Sequence, residues 1–100
     1  MEEGKRGYVY IMANGVSGTL YIGVTAYLLQ RVDQHRRGVG SAFCRRHKCT
    51  RLVHVEAFDR IDDAIAREKA LKAWRRGWKL NLIGRHNPDW RDLWDEYARP

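Results

Sequence analysis

Three consecutive stretches decide the fold: Tyr8-Val9-Tyr10-Ile11-Met12-Ala13, the turn cluster Asn14-Gly15-Val16-Ser17-Gly18, and Thr19-Leu20-Tyr21-Ile22-Gly23-Val24-Thr25. Two β-branched and aromatic runs separated by a short Gly-containing turn predict a β-hairpin. A strand repeats every two residues, so Tyr8, Tyr10 and Met12 share one face of the first run. On the second run Leu20, Ile22 and Val24 make the apolar side, and Thr19, Tyr21, Gly23 and Thr25 point the other way.

Outward from the hairpin the chain alternates. Tyr27 to Arg37 has helical spacing through Leu28, Val32 and His35, and Gly38 ends it. Leu52 to Phe58 reads as a third strand. Asp59 is placed to cap a long helix from Arg60 through about Arg76, with Gly77 near its end. A short helix around Trp78 to Ile83 and a last one around Trp90 to Tyr97, opened by Pro88-Asp89, complete the chain. The order β-β-α-β-α-α predicts an α/β fold: a small, mainly antiparallel three-stranded sheet flanked by helices.

The 100 residues suit a single domain over 1–100, and 44% hydrophobic residues with four Trp and five Tyr can build its core. No apolar run approaches the roughly 20 residues of a membrane span, and residues 1–30 hold no apolar signal core. The expectation is a soluble, cytoplasmic protein that does not engage membranes, with Cys44 and Cys49 as reduced thiols. The net charge of +7 is concentrated. Between Arg31 and Arg51 lie Arg31, Arg36, Arg37, Arg45, Arg46, Lys48 and Arg51 against Asp33 alone. Such a block is an electrostatic footprint for a polyanion, usually nucleic acid, though it is also compatible with a solvated loop. Gly38, Gly40 and Ser41 predict a mobile loop there, and Phe43 gives it an aromatic able to stack on a base.

A 100° wheel started at Ile61 puts Ala64, Ile65 and Leu71 on one stripe and Glu68 in its middle, at about 340°. A carboxylate in that position must be paired, protonated or bound to a cation. Lys72, four residues on, is the available pair. On the first helix Arg31 and His35 are likewise four apart, on the face that carries Leu28 and Val32.

Tyr8-Val9-Tyr10, Tyr21-Ile22-Gly23, Arg31 ten residues after Tyr21, His35 four later and Glu68 on a long helix together resemble the GIY-YIG nuclease superfamily. The resemblance is closest to small stand-alone bacterial members related to the nuclease domain of excinuclease C. It extends to Ala66-Arg67-Glu68-Lys69 and to Asn87-Pro88-Asp89-Trp90. It implies a metal-dependent phosphodiesterase, with Tyr21 as the base or water-orienting phenol and Tyr10 beside it. It further implies Arg31 as phosphate clamp, His35 as assisting residue, Glu68 as ligand to Mg²⁺ or Mn²⁺, and Asn81, with Asn87 as the other candidate, as the site asparagine. Those types suit the chemistry. A guanidinium meets the charge that builds on nonbridging oxygens, and a hard cation can be held by one carboxylate plus the substrate phosphate.

The chain departs from the pattern at Tyr8 and Val9, which stand for Gly and Ile, and at Val24, which stands where excinuclease C has a Lys. A phenol of ordinary pKa needs a cationic neighbour to act as a base, so His35 or the metal must supply what Val24 does not. The expected function is a DNA endonuclease in repair or processing, with RNA as the other possible substrate. Arg36, Arg37, Arg45, Arg46, Lys48 and Arg51 are the expected nucleic-acid contacts, and no small-molecule cofactor is expected. The rival is a nucleic-acid-binding module of the same fold with little catalysis. Cys44, His47, Cys49 and His54 match no standard zinc spacing, and nothing in the sequence sets a base beside Cys44.

Overall fold

The computed structural model describes residues 5–98. Its elements are β1 (Gly7–Ala13), β2 (Leu20–Thr25), α1 (Leu28–Arg36), α2 (Ala42–His47), β3 (Arg51–Phe58), α3 (Ile61–Ala73), α4 (Arg76–His86) and α5 (Trp94–Ala98). The strands form one antiparallel sheet in the order β2-β1-β3, with Tyr10 opposite Gly23 on one side and Val55 on the other. The expected α/β architecture is the one found. Among the described residues no helix is long and apolar enough to cross a membrane.

The central strand is covered on both faces. Val9, Ile11 and Ala13 pack with Ile22, Val53, Ala64, Leu71, Leu82, Ile83 and Trp90 under α3 and α4. Tyr10 and Met12 pack on the opposite face with Leu28, Val32, Cys44, Cys49 and Leu52 under α1 and α2. Burying each large side chain contributes about 1.5–3 kcal/mol, so this strand carries much of the core.

Three local expectations are corrected. The stretch after Gly38, expected to be a mobile loop, holds α2. Ser41 caps it by accepting from the Cys44 amide, Cys44 is buried beneath it, and Lys48 closes it in the left-handed region at φ 56°. Second, α3 begins at Ile61, so its N-cap is Arg60 in extended conformation and not Asp59; Asp62 and Asp63 supply the favourable charge in the first turn. Third, the long helix stops at Ala73. Trp74 and Arg75 are extended, and α4 starts at Arg76 with Gly77 inside it. A continuous helix over 61–86 would run roughly 39 Å, well past strands of about 25 Å. The break folds Leu82 and Ile83 back onto the cluster that already holds Leu71.

On the α3 side of β3, His54, Glu56 and Arg67 lock strand to helix. Glu56 accepts from Arg67 Nε at 2.8 Å and Nη2 at 3.2 Å and meets His54 Nε2 at 2.8 Å. The His54 contact and the Arg67 fork outweigh the opposing effect of burial and push the Glu56 carboxyl down to about 2 from 4.5. A carboxyl so depressed lends stability that is complete above about pH 4.5 and is lost as the pH falls toward 2. We therefore expect Glu56→Gln to destabilise the protein by about 1–3 kcal/mol at pH 7. Denaturant unfolding of both proteins at pH 7 and near pH 2 should show the gap closing in acid; a gap independent of pH would remove the charge from the account.

Candidate active site

Strands β1 and β2 set Tyr10 and Tyr21 on the sheet face that α1 covers, and α1 brings Arg31 and His35 down onto them. Tyr10 is 1% exposed and His35 fully buried. The Tyr10 hydroxyl and His35 Nε2 lie 2.8 Å apart. The His35 ring centroid is 5.5 Å from that of Tyr10 and 5.0 Å from that of Tyr21, and the two phenol rings are 6.3 Å apart. Gly23 makes the arrangement possible, because a Cβ there would stand 2.5 Å from the Tyr10 hydroxyl and ζ-carbon.

Burial and the neighbouring Arg31 push the His35 imidazole down to about 4, so the ring is neutral at neutral pH. Burial, with the neighbouring Tyr21, pushes the Tyr10 phenol well above its usual range, outweighing the help of Arg31. For Arg31 burial works against the charge, but the facing Tyr10 and Tyr21 outweigh it and raise the pKa. Its Nη1 donates to Gln34 Oε1 at 3.0 Å. The group is thus a fixed cation above two phenols and a neutral imidazole.

Tyr21 is half-buried on the edge strand, in an open groove of about 300 Å³ lined by Leu20, Tyr21, Ile22, Phe43, Lys72 and Lys79. Lys72 and Lys79 put two ammonium groups into the lining of this groove, Lys79 Nζ donating to the Lys72 carbonyl at 3.3 Å. Phe43 stacks toward Tyr21 at 6.1 Å and on His47 at 4.4 Å. Glu68 reaches this groove through Lys72, whose Nζ lies 2.6 Å from Oε2. The pair that the helical spacing offered is therefore formed. Its side chain is only 12% exposed and makes no other ion pair or hydrogen bond among the described residues. No group of three or more His, Cys, Asp or Glu among those residues could hold a metal. A hard cation bound by one carboxylate, waters and substrate oxygens fits such a site, and zinc does not.

The other candidates separate. Arg45, Arg46 and Lys48 are exposed on and after α2, with no ion pair among the described residues. Arg36 is spent on Asp92 at 2.7 Å and on the Trp94 ring, Arg37 on Asp33 at 2.9 Å, and Arg51 on the Trp90 carbonyl at 2.8 Å. Asn81 lines a different groove with Trp74, Trp78, Leu82 and Arg85 and makes no hydrogen bond with Tyr10, Tyr21, Arg31, His35 or Glu68. Asn87 is buried and structural: its amide donates to the Val53 and Arg91 carbonyls and accepts from the Arg91 amide. Burial and the adjacent Cys49 push the Cys44 thiol up to about 12, which leaves it inert as a nucleophile. Reading the sequence missed Lys79 and Gln34. For Gln34 a signal existed, since it lies three residues after Arg31 on one helix.

Residues 6–81 match the family model described as the GIY-YIG catalytic domain. A protein of Syntrophus aciditrophicus named only UPF0213 protein is 33% identical over 85 residues, covering 84% of this chain and 95% of the relative. UPF0213 proteins of Natronomonas pharaonis and Pediococcus pentosaceus are 36% and 29% identical, over 76% and 77% of this chain and 88% and 81% of theirs. No solved structure matches the chain.

Because a methyl at position 23 would collide with the Tyr10 hydroxyl, Gly23→Ala should cost about 1–3 kcal/mol of stability through overpacking. It should also pull Tyr10 from His35 and let the imidazole titrate above its native value of about 4. Proton NMR of the His35 ring through the acid range checks this; an unchanged titration would show that the pair absorbs the methyl without parting.

Proposed function

The chain belongs to the GIY-YIG catalytic-domain family, a nuclease-type family, and from that membership we propose that it is a single-domain, metal-dependent endonuclease that cuts phosphodiester bonds in DNA. Its setting would be repair or processing in the cytoplasm. The observation that supports this best is the gathering of Tyr10, Tyr21, Arg31 and His35 from three elements into one contacting group. Each residue type suits a separate part in the same reaction.

In this reading Arg31 receives the scissile phosphate, because its charge is permanent and its donors are fixed in a plane. Tyr21, at the groove wall, orients the attacking water or accepts its proton. Tyr10 is held in its protonated form by burial. It therefore positions His35 and the Tyr21 ring and takes no proton. The neutral His35 imidazole fills the space between the two phenols without adding a second positive charge beside Arg31. Lys72 and Lys79 draw the polyanion into the groove. Glu68, with substrate oxygens, would hold Mg²⁺ or Mn²⁺, which would supply Lewis-acid charge to the phosphoryl group. Arg45, Arg46 and Lys48 on the α2 side add phosphate contacts that carry affinity without sequence information.

The rival reading, a binding module with little catalysis, has one observation in its favour: Lys72 already neutralises Glu68. Incubation with plasmid, single-stranded and branched DNA and with RNA, with and without Mg²⁺ or Mn²⁺, decides between them. Metal-dependent cleavage supports the enzyme; binding of the same substrates without cleavage establishes the module.

Tyr21→Phe keeps the ring and deletes the hydroxyl, so single-turnover cleavage should fall by about 10² to 10⁴ with the fold intact. Near-native cleavage would refute the role given to Tyr21. Glu68→Gln should abolish the metal-dependent rate while circular dichroism and most DNA affinity persist. Loss of thermal stability with cleavage retained would instead assign Glu68 to the ion pair with Lys72.

A further inference from the structure

On the outer side of Arg31 lies a second concavity of about 200 Å³, lined by Thr25, Tyr27, Gln30, Arg31 and Gln34. The hydrogen bonds around it fix which way its polar groups point. Arg31 carries only donors, so the Gln34 atom facing its Nη1 at 3.0 Å is the carbonyl oxygen. The Gln34 amide nitrogen is then turned away from Arg31 with both hydrogens available. The Thr25 hydroxyl already accepts from the Tyr27 amide at 2.9 Å, so its own hydrogen is free to be donated. Neither group has a further protein partner among the described residues. At the rim Lys5 Nζ is bonded to the Tyr27 hydroxyl at 2.6 Å. The concavity therefore holds a guanidinium, an amide N–H₂ and a hydroxyl hydrogen, a neutral Gln30 and no carboxylate among its lining residues.

A small open site built from donors around a fixed cation is suited to a tetrahedral oxyanion. We propose that Thr25, Gln30, Arg31 and Gln34 form a second phosphate subsite, which holds a phosphate of the substrate strand next to the one that reacts. Arg31 is shared between the two positions, and Gln34 both orients it and binds phosphate through its amide. The inference rests on the endonuclease reading only in taking its phosphate from a nucleic acid. The site's own chemistry requires only an oxyanion.

Gln34→Glu and Gln34→Met are the paired variants. Gln34→Glu replaces the amide nitrogen by an oxygen and also offsets the Arg31 charge, so it removes the subsite outright, whereas Gln34→Met deletes the amide donor and leaves the Arg31 charge in place. A carboxylate beside Arg31 weakens polyanion binding even where Gln34 only orients Arg31, so weaker oligonucleotide binding by Gln34→Glu is required by the subsite without being peculiar to it, and the phosphate-specific stabilisation of the free protein distinguishes the two.

Binding of fluorescein-labelled DNA oligonucleotides in EDTA, read by anisotropy, should weaken by about tenfold or more in Gln34→Glu and by less in Gln34→Met, with the melting temperature of Gln34→Glu undiminished. Equal or tighter binding by Gln34→Glu overturns the proposal. Inorganic phosphate tests the pocket without nucleic acid. It should raise the melting temperature of the native protein beyond the rise given by sodium chloride at equal ionic strength, and should not do so in Gln34→Glu. Absence of any phosphate-specific rise in the native protein overturns the subsite whatever DNA does. A phosphate-specific rise in a protein that binds no oligonucleotide keeps the subsite and overturns the endonuclease reading.

Discussion

Strand β1 has no solvent face, and that constraint organises everything around it. A central strand covered by helices on both sides must bury whatever side chains it carries, and one of these is a tyrosine whose ring is welcome in the core but whose hydroxyl is not. Tyr10 solves this by meeting His35 Nε2 at 2.8 Å. The bond fixes the rotation of α1 over the sheet. With the helix so rotated, Arg31, one turn earlier, has to lie over the same phenols. Gly23 completes the constraint, because only a residue without Cβ lets Tyr10 cross the neighbouring strand.

The same burial divides the labour inside the site. It drives Tyr10 and His35 in opposite directions, the phenol up and the imidazole down to about 4, and so holds both in their neutral forms across the physiological range. A pair held this way is a rigid neutral support. The Nδ1 atom of His35 is the one buried side-chain polar atom without a partner among the described residues. An unpartnered atom of this kind is tolerable on a neutral ring and would be far more costly on a charged one. Net charge around Tyr21 is thus left to Arg31 on one side and to Lys79 in the groove on the other, where Lys72 is paired with Glu68.

What could be read beforehand follows from how local each signal is. The hairpin, the first helix, the third strand and the inward placement of Glu68 all rest on periodicities of two or 3.6 residues that the chain states by itself. The inward facing of Tyr10, Tyr21, Arg31 and His35 was legible from the period of each element, and their membership in one site from the resemblance to the GIY-YIG family. The break at Trp74 and Arg75 was not legible, since Ala70, Lys72, Ala73 and Arg76 are all good helix formers and only the limited length of the sheet forbids continuing. Helix α2 was hidden by its own composition: with a single buried residue, Cys44, it has no stripe to detect, and its capping Ser41 lies in a run of glycine and charge. Asn81 and Asn87 could not be told apart because a residue type does not reveal which backbone groups lack partners, and it is the Val53 and Arg91 carbonyls that claim Asn87.

The basic stretch shows how a charge count and a charge surface differ. Arg36 and Arg51 are drawn into contacts with Asp92 and Trp94 and with the Trp90 carbonyl and tie the C-terminal segment to α1 and β3, while Arg37 pairs with Asp33 at the end of α1. What remains without an ion pair among the described residues is Arg45, Arg46 and Lys48 on the α2 side and the half-buried Arg31, bonded to Gln34, on the α1 side. Tyr21 touches both helices, through Phe43 on α2 and His35 on α1. Tyr21 therefore sits between the helix that carries one set of cations and the helix that carries the other. The surface proposed to attract a strand and the group proposed to act on it thus belong to one small sheet and the two helices on its face.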